Sequence, residues 1–284
     1  LGTGAVITVN PHGLLKDNTG FDLAGLLCGS EGTLGVVTEV RLGLVPEPSA
    51  RLVALLGFDD AGHMVDALPV LRTVPGLSAV EAVQAPGLAL VAAYTGASLP
   101  LQPVPAWVLL VEVAGEGDLA TPLADALDRL RSAVTGTAVA DDPAGAARLW
   151  RWRDAHTEAI ATLGAAHKAD VTIPLERMAA FLDGVPSAVE AVAPEAVVVL
   201  FGHLGDGNIH VNVVGPAPDD DRPLDAVFAT VLDHGGSVSA EHGIGAAKRR
   251  WLEPQRGPAA VAAMQAVKAA LDPHGILNPH VLLP

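Results

Sequence analysis

The amino-acid sequence predicts an α+β fold, because strand-like runs alternate with helical ones along most of its 284 residues. After a first segment that ends at Pro46 and Pro48, the alternation starts with a strand-like run at Arg51–Phe58 and a helical run at Asp60–Val74. In Gly117–Val134 the leucines recur at helical spacing, which is typical of a helix with one buried face. Strand–helix–strand blocks of this kind predict a sheet that carries helices on one face.

The later elements continue the same alternation. Two more strands are predicted in this part, at Trp107–Val113 and Asp170–Pro174. The predicted helices are Pro143–Leu163, Leu175–Val185, Leu224–His234 and Pro258–Leu271. In the first segment, apolar runs predict strands at Ala5–Val9 and Val36–Leu44.

Composition excludes several classes of function. A formal net charge of −15 argues against nucleic acid or an anionic membrane as the main partner. No uncharged apolar run is long enough to predict a membrane span. Cys28 is the single cysteine, so the chain has no disulfide framework, and we expect a cytoplasmic, reducing compartment. We also expect Cys28 to be a small, buried side chain.

The segment FGHLGDGNIHVNV predicts a hairpin with two histidines. If the turn is centred between Asp206 and Gly207, strand pairing puts His203 opposite His210 on one sheet face. Asn212 lies two residues further along and points to the same face. Two imidazoles and a carboxamide on one face indicate a metal site, whereas the alternative is a half-buried hairpin with incidental histidines.

A stretch of small residues further on carries adjacent Glu241 and His242. Neighbouring side chains of an extended segment point to opposite sides, so one can bind a metal while the other faces a substrate. Together with the hairpin histidines, Glu241 gives a two-His, one-Glu set that suits Zn²⁺ or a similar divalent ion. The alternative for the pair alone is a solvated loop.

A third group of polar residues precedes the hairpin. Arg153 and Thr157 are four apart and fall on one face of the predicted helix, and Lys168 lies just before the DVTIP strand. An arginine, a hydroxyl and a lysine that converge would bind a carboxylate. Solvated charges at helix ends are the alternative.

Four blocks in order, KDNTGFDLAGLLCGSEGTLGVVTEV, GHLGDGNIHVNV, SAEHGIGAAKR and LDPHGILNP, give the chain a family resemblance. It resembles the FAD-linked D-2-hydroxyacid dehydrogenases of the vanillyl-alcohol-oxidase superfamily, which include D-lactate, glycolate and D-2-hydroxyglutarate enzymes. The resemblance implies the C-terminal part of a two-subdomain FAD-binding domain at residues 1–48. It further implies a cap domain at 49–257, with a large antiparallel sheet flanked by helices, and a C-terminal helix and tail at 258–284 that return to the FAD domain.

The resemblance also implies roles for particular residues. The metal ligands would be His203, His210 and Glu241, for Zn²⁺ or alternatively Mn, Fe or Co, with His242 as the base and Asn212 as a catalytic hydrogen-bond donor. The substrate carboxylate would be bound by Arg153, Thr157 and Lys168. The FAD contacts would come from Gly29, Glu31, Gly32, Thr33, Gly35, Val36, Val37 and Asn278.

The implied reaction is oxidation of a D-2-hydroxy acid to a 2-oxo acid, with metal assistance and hydride transfer to the flavin. The implied partners are the small acid and an external electron acceptor. A homodimer is a further expectation. Two departures accompany the resemblance: the family's N-terminal half of the FAD domain does not precede the first block, and His280 stands where the family has a glycine. We therefore expect an N-terminally truncated chain that holds FAD poorly by itself.

Two alternative functions remain open at the level of sequence. One is a non-catalytic fragment, in which a cap lobe binds metal but does not hold FAD. The other is a metal-dependent hydrolase, which leaves the GSEGTLG block without a role.

Overall fold

The computed structural model describes residues 1–10 and 12–283, and it divides the chain into two compact units. The first unit comprises Leu1–Pro46 and Val238–Pro284, and the second comprises Glu47–Ser237. Residues 238–257, which the sequence assigned to the cap domain, therefore group with the first segment. The reason is local, because the amides of Ile244 and Gly245 donate to the carboxylate of Glu31.

The described residues form helices and strands that we number in chain order. The strands are β1 Ala50–Phe58, β2 Leu77–Gln84, β3 Trp107–Gly115, β4 Gly136–Ala140, β5 Ala166–Thr172, β6 Val197–Gly202 and β7 Asn208–Val214. The helices are α1 Leu23–Leu27, α2 Ala61–Asp66, α3 Leu68–Leu71, α4 Ala85–Thr95, α5 Ala120–Arg129, α6 Pro143–Asp154, α7 His156–Ala161, α8 Leu175–Glu190, α9 Arg222–Asp233, α10 Arg249–Arg256 and α11 Pro258–Leu271.

All seven strands lie in one sheet of the second unit, in the order β4-β1-β3-β2-β6-β7-β5. Each neighbouring pair is antiparallel. The predicted α+β fold with a large antiparallel sheet flanked by helices is confirmed.

Helices cover both faces of this sheet, not one face as the sequence predicted. Strands β1 and β3 each bury seven consecutive residues, which requires cover on both sides. On one face Val83, Leu110 and Phe201 pack against side chains of α4, α6 and α7. Helices α2, α8 and α9 contact strands outside that core. A continuous apolar run does not alternate between buried and exposed residues. It therefore does not indicate how many faces of the sheet are covered, and the second layer of helices was not predicted.

The predicted helix Pro143–Leu163 is two helices, because α6 ends at Asp154 and α7 begins at His156. Asp142 caps α6 by accepting a 2.9 Å hydrogen bond from the amide of Gly145. The break at Ala155 turns His156 into the core, where its ring lies 4.8 Å from the ring of Phe201. Arg153 therefore occupies the last turn of a helix, beside the sheet face.

The strands predicted at Ala5–Val9 and Val36–Leu44 do not form. Among the described residues of the first unit no strand is present, and Val6 and Leu44 are 89% and 96% exposed. A strand needs a neighbour to pair with its backbone groups, and apolar alternation alone supplies none. The expectation that Cys28 is buried is also wrong, because Cys28 is exposed just after the end of α1, which itself buries no residue.

Within the described part of the chain, no helix combines the length and apolar character that crossing a membrane requires.

The buried His156 makes the stability of the second unit depend on pH. Burial lowers the pKa of His156 from 6.5 to about 4. The unfolded chain therefore binds a proton that the folded chain does not, so stability is lost as the pH falls from the unfolded pKa towards the folded one. Between about pH 7.5 and about pH 5, we expect wild type to lose about 2 kcal/mol more unfolding free energy than His156→Gln.

Urea unfolding at the two pH values measures this difference. The exposed His274→Gln is the matched control and should lose as much stability as wild type does. An equal pH dependence of wild type and His156→Gln would contradict the assignment.

Candidate functional site

The hairpin that carries the two predicted histidines has a wider loop than the sequence indicated. Phe201 pairs with His210 in the β6–β7 ladder, so His203 follows the end of β6 and does not face His210 as predicted. A single 3₁₀ turn at Leu204–Asp206 and Gly207 complete the loop. Gly207 has φ 73°, and a Cβ there would lie 2.8 Å from the carbonyl oxygen of Ile173. The register was wrong because the loop is not a two-residue turn.

The two imidazoles nevertheless come together. Their ring centroids are 5.2 Å apart and the rings are nearly perpendicular, at 85°. The carbonyl of His203 accepts a 3.1 Å hydrogen bond from the amide of Asn208, which holds the loop end beside the strand. Convergence therefore arises from the loop geometry and not from direct cross-strand pairing.

Each of these histidines has a buried carboxylate at its Nδ1 atom. Glu81 of β2 places Oε1 2.7 Å from Nδ1 of His203. Asp170 of β5 pairs directly with His210 and places Oδ1 3.3 Å from its Nδ1. The two acidic residues are only 4% and 3% exposed. The carboxylate of Glu81 accepts from Nδ1 of His203, so Nε2 is the His203 nitrogen that would bind a metal. The contact of Asp170 with His210 is an ion-pair contact and not a hydrogen bond.

Sequence reasoning assigned no role to Glu81 or Asp170. The available signal was one acidic residue inside the apolar strand LSAVEAVQ and another at the start of the DVTIP run. Charged residues are almost never fully buried unless they are paired, so each of these acids already implied a partner.

Arg153 reaches the same carboxylate from α6. Its Nε donates to Oε2 of Glu81 at 2.7 Å, and its guanidinium carbon lies 4.9 Å from the ring centre of Phe201. Its Nη2 lies 3.4 Å from Nε2 of His203. The guanidinium of Arg153 is therefore held at one edge by Glu81 and on one face by Phe201, and it lies beside His203.

The other two predicted substrate-binding residues, Lys168 and Thr157, lie on β5 and α7 and not on the helix of Arg153. Lys168 lies within β5, directly opposite Asn212 of β7, so both share the sheet face of His210. Asn212 is 4% exposed, and its Nδ2 is 3.5 Å from the carbonyl of Val199, which is a weak hydrogen bond. Thr157 is exposed and belongs to α7, so it does not continue the helix of Arg153 as predicted.

In the first unit, the GSEGTLG block forms a tight turn. Gly29, Glu31 and Gly32 have φ values of 78°, 53° and 71°. The Glu31 carboxylate accepts from the amides of Ile244 and Gly245, each at 2.7 Å, and its carbonyl accepts from Nδ2 of Asn278 at 2.6 Å. Glu31 therefore joins three of the four family blocks, the SAEHGIGAAKR block through its side chain and the LDPHGILNP block through its backbone carbonyl.

The remaining predicted FAD contacts surround this turn. Thr33 is buried and donates to the carbonyl of Ser30 at 2.7 Å, whereas Val36 and Val37 are 72% and 58% exposed. Gly35 lies between these residues. A Cβ added at Gly29 would meet no protein atom within 4 Å. At Gly29 the turn backbone thus borders open space, which fits the approach of a ribose or a phosphate.

Glu241 and His242 are exposed residues of the first unit, whereas His203 and His210 belong to the second. The loop that carries them is braced at Ser239, whose hydroxyl donates to the carbonyl of Gly243 at 2.6 Å. Gly243 has φ 73°, and a Cβ there would lie 2.6 Å from Oε1 of Glu31. The complete ligand set of His203, His210 and Glu241 stays a prediction.

A family profile matches most of this chain. The profile is described as FAD linked oxidases, C-terminal domain, and it covers residues 47–282. The chain belongs to this family. The resemblance that the sequence blocks carried is therefore confirmed at the level of the FAD-linked oxidases.

Curated relatives of this chain are named D-2-hydroxyglutarate dehydrogenases. The mitochondrial protein of Bos taurus is 39% identical over 285 residues, covering 95% of this chain and 51% of that protein. The protein of Xanthomonas citri pv. viticola is 34% identical, covering 98% of this chain and 61% of that protein. The chain thus spans about half to three fifths of the length of these relatives.

Solved structures agree on the fold. p-Cresol methylhydroxylase with bound substrate superposes with a TM-score of 0.70 at 16% identity, covering 99% of this chain and 62% of that one. An alkyldihydroxyacetonephosphate synthase gives a TM-score of 0.60 at 15% identity, covering 92% of this chain and 49% of that one. At such identities the likeness concerns the fold alone.

The tie between Glu31 and its two amides gives a test within the first unit. In Glu31→Ala both amides lose a charged acceptor, so we expect Ile244 and Gly245 to exchange their hydrogens about 10- to 100-fold faster. Hydrogen exchange followed by mass spectrometry of the peptide around these residues measures it. Glu39→Ala, an exposed carboxylate of the same segment, is the control. Unchanged exchange in Glu31→Ala would show that the tie has no role in the loop.

Proposed function

We propose that this chain carries the substrate-binding lobe of an FAD-dependent dehydrogenase that oxidises a D-2-hydroxy acid to a 2-oxo acid. D-2-hydroxyglutarate is the first substrate to test, because the curated relatives carry its name. The observation that supports the proposal most is the guanidinium of Arg153, which is fixed by Glu81 and Phe201 beside two imidazoles. A fixed cation next to two potential metal ligands suits an α-hydroxy carboxylate.

The chain's own residues divide the work in this proposal. Arg153, Lys168 and Thr157 bind the carboxylates, the arginine through paired charge-assisted hydrogen bonds. His242 accepts the hydroxyl proton, which suits imidazole because it commonly exchanges protons near neutral pH. Asn212 donates a hydrogen bond to the oxygen that loses this proton. FAD would supply the redox chemistry as hydride acceptor, and the GSEGTLG turn and Asn278 would hold it.

His203, His210 and Glu241 would hold the metal in this proposal. Two neutral nitrogens and one carboxylate oxygen are a donor set for Zn²⁺ with an open position, and Mn, Fe or Co are alternatives. The metal would lower the pKa of the substrate hydroxyl. The carboxylate at Nδ1 of His203 supports this set, because metal-binding histidines almost always donate their other N–H to a fixed acceptor.

The proposal further includes an external electron acceptor, a homodimer and a cytoplasmic location. It also places domain boundaries after residues 48 and 257. The bovine and rat relatives are named mitochondrial, which makes a mitochondrial location the alternative to test.

Replacing Arg153 tests the substrate assignment. In protein loaded with FAD, Arg153→Ala should lower kcat/KM for D-2-hydroxyglutarate by about 10- to 100-fold, because one charge-assisted contact is lost. The fall should be much smaller for the neutral α-hydroxy amide analogue, since it offers no carboxylate to the arginine. Steady-state kinetics with an artificial electron acceptor measures both substrates.

Arg151→Ala is the matched control, because Arg151 lies in the last turn of the same helix and is exposed. It should leave both rates unchanged. An equal fall for acid and amide in Arg153→Ala would remove the carboxylate-binding role. No flavin reduction by any D-2-hydroxy acid in the wild-type protein would refute the proposed function itself.

A further inference from the structure

Glu81 is a buried acid in an apolar part of the sheet. Its side chain is 6% exposed. Along β2 it alternates with residues of the other face, and its cross-strand partner is Leu110, while Val83 is the next residue on its own face. An ionised carboxylate in such surroundings is strongly unfavourable unless its oxygens accept hydrogen bonds.

Both oxygens have a donor. Oε1 lies 2.7 Å from Nδ1 of His203, and Oε2 lies 2.7 Å from Nε of Arg153. Stability alone does not account for this arrangement, because a well-packed apolar residue is often as stabilising as a buried ion pair, or more so. The arrangement is better explained by what it imposes on its two partners.

The contacts of His203 define which nitrogen carries the proton. A carboxylate only accepts, so Nδ1 must donate to Glu81. An arginine only donates, so Nε2, at 3.4 Å from Nη2 of Arg153, must present its lone pair. His203 is therefore in the Nδ1–H tautomer, in which the lone pair on Nε2 would bind a metal in place of the Arg153 contact.

We propose that Glu81 is a positioning residue that fixes His203 in this tautomer and holds Arg153 beside it. The inference deepens the proposed function and rests on it for the use made of the two partners. The carboxylate of Glu81 would thus orient both Nε2 of His203 towards the metal and the guanidinium of Arg153 towards the substrate carboxylate. Neither the two-histidine pattern nor the resemblance assigned a role to this residue.

Glu81→Gln is the informative change, because an amide keeps the shape but offers one acceptor where the carboxylate offers two. The amide oxygen will stay with the charged Arg153, and the NH₂ group will then face Nδ1 of His203. Nδ1 then faces a donor, so the tautomer with the proton on Nε2 becomes the favoured one once Nη2 of Arg153, which also donates, turns away from Nε2. We expect Zn²⁺ to bind Glu81→Gln about 10- to 100-fold more weakly than wild type, the usual effect of losing such a partner.

A matched control lies on the same sheet face. Glu112 of β3 is 7% exposed and accepts from Arg51, Ser78 and Trp150. Glu112→Gln removes an equally buried carboxylate without touching His203, and it should bind Zn²⁺ as wild type does. Glu81→Asp keeps two acceptor oxygens and should recover part of the lost affinity.

Two measurements decide the inference. Titration with Zn²⁺ alone gives the affinities, and ¹⁵N NMR of the imidazoles without metal gives the tautomer of His203. Weaker Zn²⁺ binding together with an Nε2–H tautomer in Glu81→Gln supports the inference. Wild-type affinity and an Nδ1–H tautomer in Glu81→Gln would overturn it, as would an Nε2–H tautomer in wild type.

The tautomer separates this inference from the proposed function. If wild type binds no Zn²⁺, the metal assignment fails, and the NMR comparison still decides whether Glu81 fixes His203. If wild type binds Zn²⁺ and Glu81→Gln binds it equally well, the metal assignment stands and the role of Glu81 falls.

Discussion

A carboxylate buried in an apolar sheet must find hydrogen-bond donors for both oxygens, and this requirement organises the centre of the second unit. Glu81 meets it with His203 on one side and Arg153 on the other. The arginine in turn lies over Phe201, which also packs against the ring of His156. The hydrogen bonds of Glu81 are thus connected, through Arg153 and Phe201, to the apolar core that packs against α6 and α7.

The order of the strands explains why the polar side chains of the candidate site lie together. Helices bury most of both faces, and the polar side chains lie on one face at the β6–β7–β5 end of the sheet. There His210 pairs with Asp170, and Asn212 pairs with Lys168. Long-range antiparallel pairing brings these residues together from separate parts of the chain. A loop, not a strand, supplies His203, and this places its Nδ1 within reach of β2.

Sequence patterns located most elements, because helical spacing and apolar runs are local properties. They identified the hairpin, the helix at Pro258–Leu271 and the histidine pair. They did not reveal the break at Ala155, the wider hairpin loop or the missing strands of the first segment, since each depends on tertiary packing or pairing. Glu81 was missed for the same reason: its role follows from partners that are 72 and 122 residues away.

The central claim is that His203 and His210 present their Nε2 nitrogens to one metal ion. X-ray absorption at the zinc edge of the Zn²⁺-loaded protein tests it most directly. The account predicts two imidazole nitrogens at about 2.0–2.1 Å from the metal, reduced to one in His210→Asn. A first shell of oxygen atoms alone, or a spectrum that is unchanged in His210→Asn, would contradict it.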